Sequence, residues 1–125
     1  MIKNHIILEI LSSKTLDLNA TQNKLSIPII NRIYKKMKFG LKFDAIKVYN
    51  NMIIDGHHRY ISSVLANIEL ERVTSSKTIA TIEYNWGDVE FVSEEWDTKE
   101  KINRLNEQDA LFNNLTLEKI IEITK

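Results

Sequence analysis

The stretch MIIDGHHRY, residues 52–60, sets Asp55, Gly56, His57, His58 and Arg59 directly after an apolar run. Such residues could ligate a metal, activate a nucleophile or cradle an anion. As metal ligands, adjacent His57 and His58 on a helix would point about 100° apart, whereas two ligands on one helical face need i, i+3 or i+4 spacing. His5, the one other histidine, lies far away in the chain, so zinc is disfavoured. There is no cysteine, which excludes thiolate catalysis, disulfides and Cys-based zinc sites. Ser62 and Ser63 fall inside a helix, where serines pack or face solvent more often than they attack. An anion cradle uses the residues better. Gly56 leaves room for close approach, the next backbone N–H groups are unpaired at a helix start, and Arg59 adds a permanent charge. His57 or His58 can donate further hydrogen bonds, and Asp55 can cap the helix or reach magnesium through a water. The same residues also suit a plain helix start, in which Asp55 only caps and Arg59 only pairs with an acid. Short motifs match by chance, and the residues alone leave both readings open.

The elements around the motif follow from periodicity. HIILEIL, residues 5–11, is a short apolar run that predicts a first strand. Residues 12–26 are polar and predict a surface loop. Ser26 can cap a helix that takes Pro28 in its first turn, carries Ile29, Ile30, Ile33 and Met37 on one side, and ends at Gly40. Arg32, Lys35, Lys36 and Lys38 are expected on its exposed faces. Two strands, 42–49 and 52–55, flank Asn50-Asn51, and asparagine tolerates the positive φ of a two-residue hairpin turn. Ile61, Val64, Leu65 and Ile68 recur at helical spacing, so a helix begins at the histidines. KTIATIEY (77–84) and DVEFV (88–92) predict two more strands. Asp97 or Thr98 can cap a helix carrying Ile102 and Leu105, and Thr116 a last one carrying Ile120 and Ile121. The expected class is α+β, a small mixed sheet with helices and a helical C-terminal extension at about 97–125.

At 125 residues the chain is expected to form a single domain, 1–125. Hydrophobic residues at 43% and charged residues at 27% are near globular averages, which argues against disorder and membrane spans. The N-terminal apolar run is too short for a secretory signal, so a cytoplasmic protein is expected. Net charge is zero but unevenly spread. Residues 24–47 hold seven basic residues against Asp44 alone, whereas residues 88–125 hold ten acidic against five basic. The basic segment suits an anionic ligand, and the acidic half argues against a broad nucleic-acid footprint.

DGHHRY resembles the phosphate motif of the ParB/sulfiredoxin superfamily, which follows a strand and opens a helix. Its forms include GERR-x-RA in partition proteins, GCHRY in sulfiredoxins and DGHHR in free serine kinases and related proteins. The last is the nearest in motif. NATQNK, residues 19–24, is similar to the family's N-P-x-Q-P-R, keeping Asn19 and Gln22 and placing Lys24 at the basic position. Gly40, Leu41, Ile46 and Val48 resemble its G-L-x-x-x-I-x-V strand. The likeness spans about residues 17–72, and only DGHHRY is specific. His57 stands where sulfiredoxins carry their reactive cysteine, which rules out sulfinic acid reduction by that route. In EKINR, residues 100–104, Glu100 and Arg104 match the partition-protein box E-N-x-x-R, but Lys101 replaces its amide. Partition proteins continue into a helix-turn-helix and a dimerisation segment; with an acidic second half and no room expected for both, a partition protein is not the expected reading. No pattern selects a catalytic base among Glu9, Asp17 and Asp44.

The resemblance implies a nucleotide-phosphate-binding ParB-like domain, with ATP, ADP or CTP, and Mg2+ beside it, as the cofactors. If it is an enzyme, it is an NTP-dependent phosphotransferase or NTPase acting on a small-molecule acceptor, because such sites work by positioning and charge stabilisation. Gly56, His57, His58 and Arg59 would hold the phosphates, Gln22 and Lys24 would approach from the opposite loop, and Asp55 or His58 would carry the proton. The alternative is a non-catalytic interaction or regulatory protein, a nucleotide sensor or DNA-associated adaptor. Its acidic half would meet a protein partner, or a second copy in a homodimer, through Trp86, Trp96 and Phe91. A two-metal nuclease is not suggested, since no cluster of carboxylates presents itself.

Overall fold

The computed structural model describes residues 4–13 and 16–125. In chain order these form α1 (Asn4–Ser13), β1 (Lys24–Ser26), α2 (Ile27–Phe39), β2 (Ile46–Tyr49), β3 (Met52–Asp55), α3 (His57–Ala66) and β4 (Arg72–Thr74). A 3-10 turn (Trp86–Asp88), β5 (Glu90–Val92), α4 (Lys99–Phe112) and α5 (Leu117–Ile123) follow. The described residues thus make a small mixed α+β protein with two small sheets. None of their helices is long and apolar enough to cross a membrane.

Strands β2 and β3 form the expected hairpin, with Asn50 at φ +51° in the turn. On the other side β2 pairs in parallel with β4, a strand that the sequence did not announce. Strand β1 pairs in parallel with β5. Upstream of β1, residue 19 runs beside β3: Asn19 N donates to Asn51 O at 2.7 Å and Ile53 N to Asn19 O at 2.9 Å. This lateral contact carries the 19–23 segment past the end of β3, where α3 begins.

Two expected strands are corrected. Residues 5–11 belong to helix α1, not a strand. In a strand, Glu9 would share the inward face with Ile7 and Leu11. A helix buries Ile7 and Leu11 at i, i+4 and leaves Glu9 exposed. Residues 77–84 form no strand; only Tyr84 bridges, antiparallel, to Ala20. Alternation would put Ile79 and Ile82 on opposite faces, splitting the two isoleucines, and both are exposed. Thr78 and Thr81 instead close a local turn through their hydroxyls. Lys14 and Thr15 of the expected loop lie outside the described residues, as do Met1 to Lys3.

The helix boundaries follow their caps. Ser26 caps α2, with Pro28 in its first turn and Gly40 left-handed at its end. Thr98 caps α4 and Thr116 caps α5 through their side chains. Helices α2 and α3 lie together over a core of Leu25, Ile30, Ile46, Ile53, Ile61 and Phe91. A smaller cluster of Leu41, Ala110 and Ile120 fastens α4 and α5 beyond the end of α2. Phe91 is buried and Trp86 packs against the main core, so neither is free to anchor a partner as expected. Trp86 Nε1 donates to Leu18 O at 2.8 Å, and its ring stacks on Tyr60. Trp96 alone of the three is exposed, and it meets His58 edge-on at 5.4 Å.

Candidate functional site

The β3–α3 junction turns on Gly56, whose φ of +102° is a conformation that L side chains rarely adopt. A Cβ there would lie 2.6 Å from Ile46 Cγ2 and 3.0 Å from Arg59 Nη2. Glycine is therefore demanded by the packing of the junction itself. Gly56 is also the N-cap of α3, and no side chain caps this helix. The expectation that Asp55 caps α3 is thus corrected: its carboxylate is largely exposed and sits 3.6 Å from Arg59 Nη2. The first helical hydrogen bond runs from Tyr60 N to Gly56 O, so the earlier N–H groups of the turn lack intrahelical acceptors.

Both histidines reach back across the β1 side of the fold. His57, 2% exposed, accepts at Nε2 from Thr21 N at 2.9 Å. His58 accepts at Nε2 from Ser26 N at 3.0 Å. Acceptance at Nε2 requires neutral rings with the proton on Nδ1. Burial keeps them so, lowering His57 to about 4 against a small opposing pull from Asp55. His58 is likewise lowered to about 4, first by burial and then by its neighbour His57. His57 Nδ1 is buried and has no hydrogen-bond partner among the described residues. An unpaired donor thus sits within the uncapped first turn of a helix.

Arg59 is anchored: Nη1 donates to the carbonyls of Asp44 at 3.0 Å and Ala45 at 3.2 Å. It pins the loop before β2 to the motif while keeping its charge at the site. Ser62 and Ser63 are buried packing residues, with Ser62 Oγ 3.0 Å from Ile30 O and Ser63 Oγ donating to Tyr60 O at 2.6 Å. His58 has spent its one basic lone pair on Ser26, so proton transfer by this ring would require that bond to break.

These residues face a cleft of about 710 Å³ bounded by α2, the start of α3 and α4, within the roughly 300–1,000 Å³ usual for ligand sites. The structure brings Asp55, Gly56, His57, His58, Arg59 and Gln22 together on its wall. Lys24 does not line it and is exposed on β1. Of the EKINR residues only Lys101 and Ile102 line it. No family model, curated protein or solved structure matches the chain. Its function must be read from the site.

The facing wall was largely missed by sequence reasoning. Lys36, expected in solvent, is 4% exposed and pairs with Asp109 at 2.6 Å. Arg32, also expected on an open face, is mostly buried and is paired with Glu95 and with Asp97, the latter at 3.1 Å. Lys101 joins Asp97 at 3.0 Å. The basic segment and the acidic half of the sequence are therefore partners of each other. From α4, Asn106 lines the cleft and is 5% exposed, with its Oδ1 buried and without a hydrogen-bond partner among the described residues. A signal for it existed: with Ile102 and Leu105 it continues an inward stripe at i, i+3, i+4, where an amide is out of place. Among the described residues no group of three or more His, Asp or Glu side chains converges on a metal position.

Proposed function

We propose that this protein binds a nucleotide by its phosphates in the α2–α3–α4 cleft. The observation that carries the reading is His57 Nδ1, a buried ring donor without an acceptor beside the uncapped N-terminus of α3. Buried donors are almost always paired, and an exception inside a cleft marks a place for a missing acceptor. Backbone N–H groups and a helix dipole favour an anion at the same point. Arg59 adds positive charge, Lys42 lines the same cleft, and Gln22 closes it from the β1 side. The order strand, DGHHRY, helix, with the 19–24 segment beside it, accords with the ParB/sulfiredoxin resemblance and its nucleotide ligands.

A sensing or regulatory role is favoured over phosphotransfer through His58 by one observation: the ring nitrogen that would take the proton already accepts a hydrogen bond from Ser26 N. Binding is tested by thermal shift with ATP, ADP, CTP, GTP and inorganic tripolyphosphate, each with and without Mg2+. At least one should stabilise the wild type, by about 2.7 kcal/mol at a hundredfold excess over Kd. The shift should vanish in His57→Phe, which removes the ring donor together with the Nε2 acceptor of Thr21 N. No shift with any of them overturns the proposal. Turnover of a bound nucleotide with a panel of small hydroxyl acceptors would return the reading to an enzyme.

A further inference from the structure

Asn106 Oδ1, the second buried side-chain atom without a partner among the described residues, belongs to the α4 wall of the cleft that the phosphate motif also lines. We infer that Asn106 reads the base of the bound nucleotide and selects one with an exocyclic amino group; this rests on the phosphate-site reading and extends it.

A buried amide whose oxygen has no donor is an unfavourable thing to keep in a folded chain. Leucine at position 106 would complete the apolar stripe of Ile102 and Leu105 without that penalty. The group that would satisfy Oδ1 is an N–H or O–H donor entering from the cleft. A second acceptor stands one turn on: Asp109 also lines the cleft, and its Oδ2 is held by Lys36 while Oδ1 has no ion-pair partner among the described residues. Two acceptors on one helical face call for a donor with two hydrogens. An exocyclic amine supplies both, and the ring nitrogen next to it in adenine or cytosine accepts from Asn106 Nδ2, the same in-plane pairing by which asparagine reads adenine in nucleic acids. Ile33, Leu105 and Phe112 line the same cleft and offer apolar surface to the flat ring.

The experiment compares each amino base with its oxo counterpart by titration calorimetry: ATP with ITP, CTP with UTP and GTP with XTP, beside inorganic tripolyphosphate. In wild type at least one amino nucleotide should bind roughly tenfold tighter than its counterpart, the loss expected when a buried acceptor is left without its donor. The pair that shows the difference identifies the base. In Asn106→Leu that ratio should fall to about one while tripolyphosphate affinity stays unchanged. Equal binding within all three pairs in wild type overturns the inference even if tripolyphosphate binds, and that result leaves the phosphate site standing. A ratio that survives in Asn106→Leu also overturns it. Failure of tripolyphosphate and of every nucleotide to bind removes the phosphate site itself. Should Asn106→Leu not fold, the wild-type comparison of the three pairs decides alone.

Discussion

The two strand-to-helix junctions, β1–α2 and β3–α3, lie side by side yet end their helices in opposite ways. At the start of α2 the chain closes itself: Ser26 Oγ accepts from Ile29 N, the same hydroxyl donates to Glu94 O at 2.8 Å, and Pro28 has no N–H to satisfy. At the start of α3 Gly56 offers no side chain, and His57 adds an unpaired donor to the free N–H groups of the turn. His58 joins the two, because its ring on α3 accepts the backbone N–H of Ser26. A helix start with a side-chain cap satisfies some of its donors from within; one that leaves them open takes its acceptors from water or from a ligand.

Acid should break the comparison most completely, because both joints depend on neutral rings. The folded-state values of about 4 for His57 and His58 lie below the ordinary 6.5, so the unfolded chain takes up protons first. Their contribution is whole above about pH 6.5 and is lost as pH falls toward about 4, by up to about 3 kcal/mol for each ring. Urea unfolding at pH 7.0, 5.5 and 4.5 should show a falling midpoint, and that pH dependence should shrink in His57→Phe. A flat profile over this range would mean that the rings are not held neutral.

Gly56→Ala comes next in size. The new methyl meets Ile46 at 2.6 Å in a left-handed backbone, and we expect a loss of about 3 kcal/mol in chemical unfolding together with loss of any tripolyphosphate-induced shift. A loss below about 1 kcal/mol would show that the junction relaxes freely. Ser26→Ala is the smallest change and sharpens the contrast from the other side. It should lower stability by about 1 kcal/mol, the usual value of an N-cap, and leave ligand-induced shifts intact. Impaired binding in Ser26→Ala would show that the α2 junction also takes part in the site.

Local physics made much of this molecule readable. Ser26 with Pro28, Gly40, Asn50, Thr98 and Thr116 each have a conformational role set by neighbours in sequence, and the helix ends and the hairpin fell where they indicate. The motif was equally legible as a strand that stops at Asp55 and a helix that starts after Gly56. Residues 5–11 and 77–84 were misread because short Ile-rich runs suit either element until a partner face exists. The α4 side of the site was missed since an i, i+4 stripe says that a face is buried without saying against what.

The sequence by itself determined the caps, the turns and the chemistry available at DGHHRY, because these depend on backbone sterics and on side-chain type within a few residues. Only the tertiary structure decided how the charges and the histidines are used. It paired Arg32 with Glu95 and Asp97 and Lys36 with Asp109, so two charges of an apparent basic segment are neutralised from within. It turned His57 and His58 into neutral acceptors for Thr21 and Ser26 by taking them out of water. It also set Asn106 and His57 on the wall of one cleft. Desolvation and long-range pairing depend on which surfaces meet, and residues as far apart in the chain as 57 and 106 come to line one cleft only when the whole fold is formed.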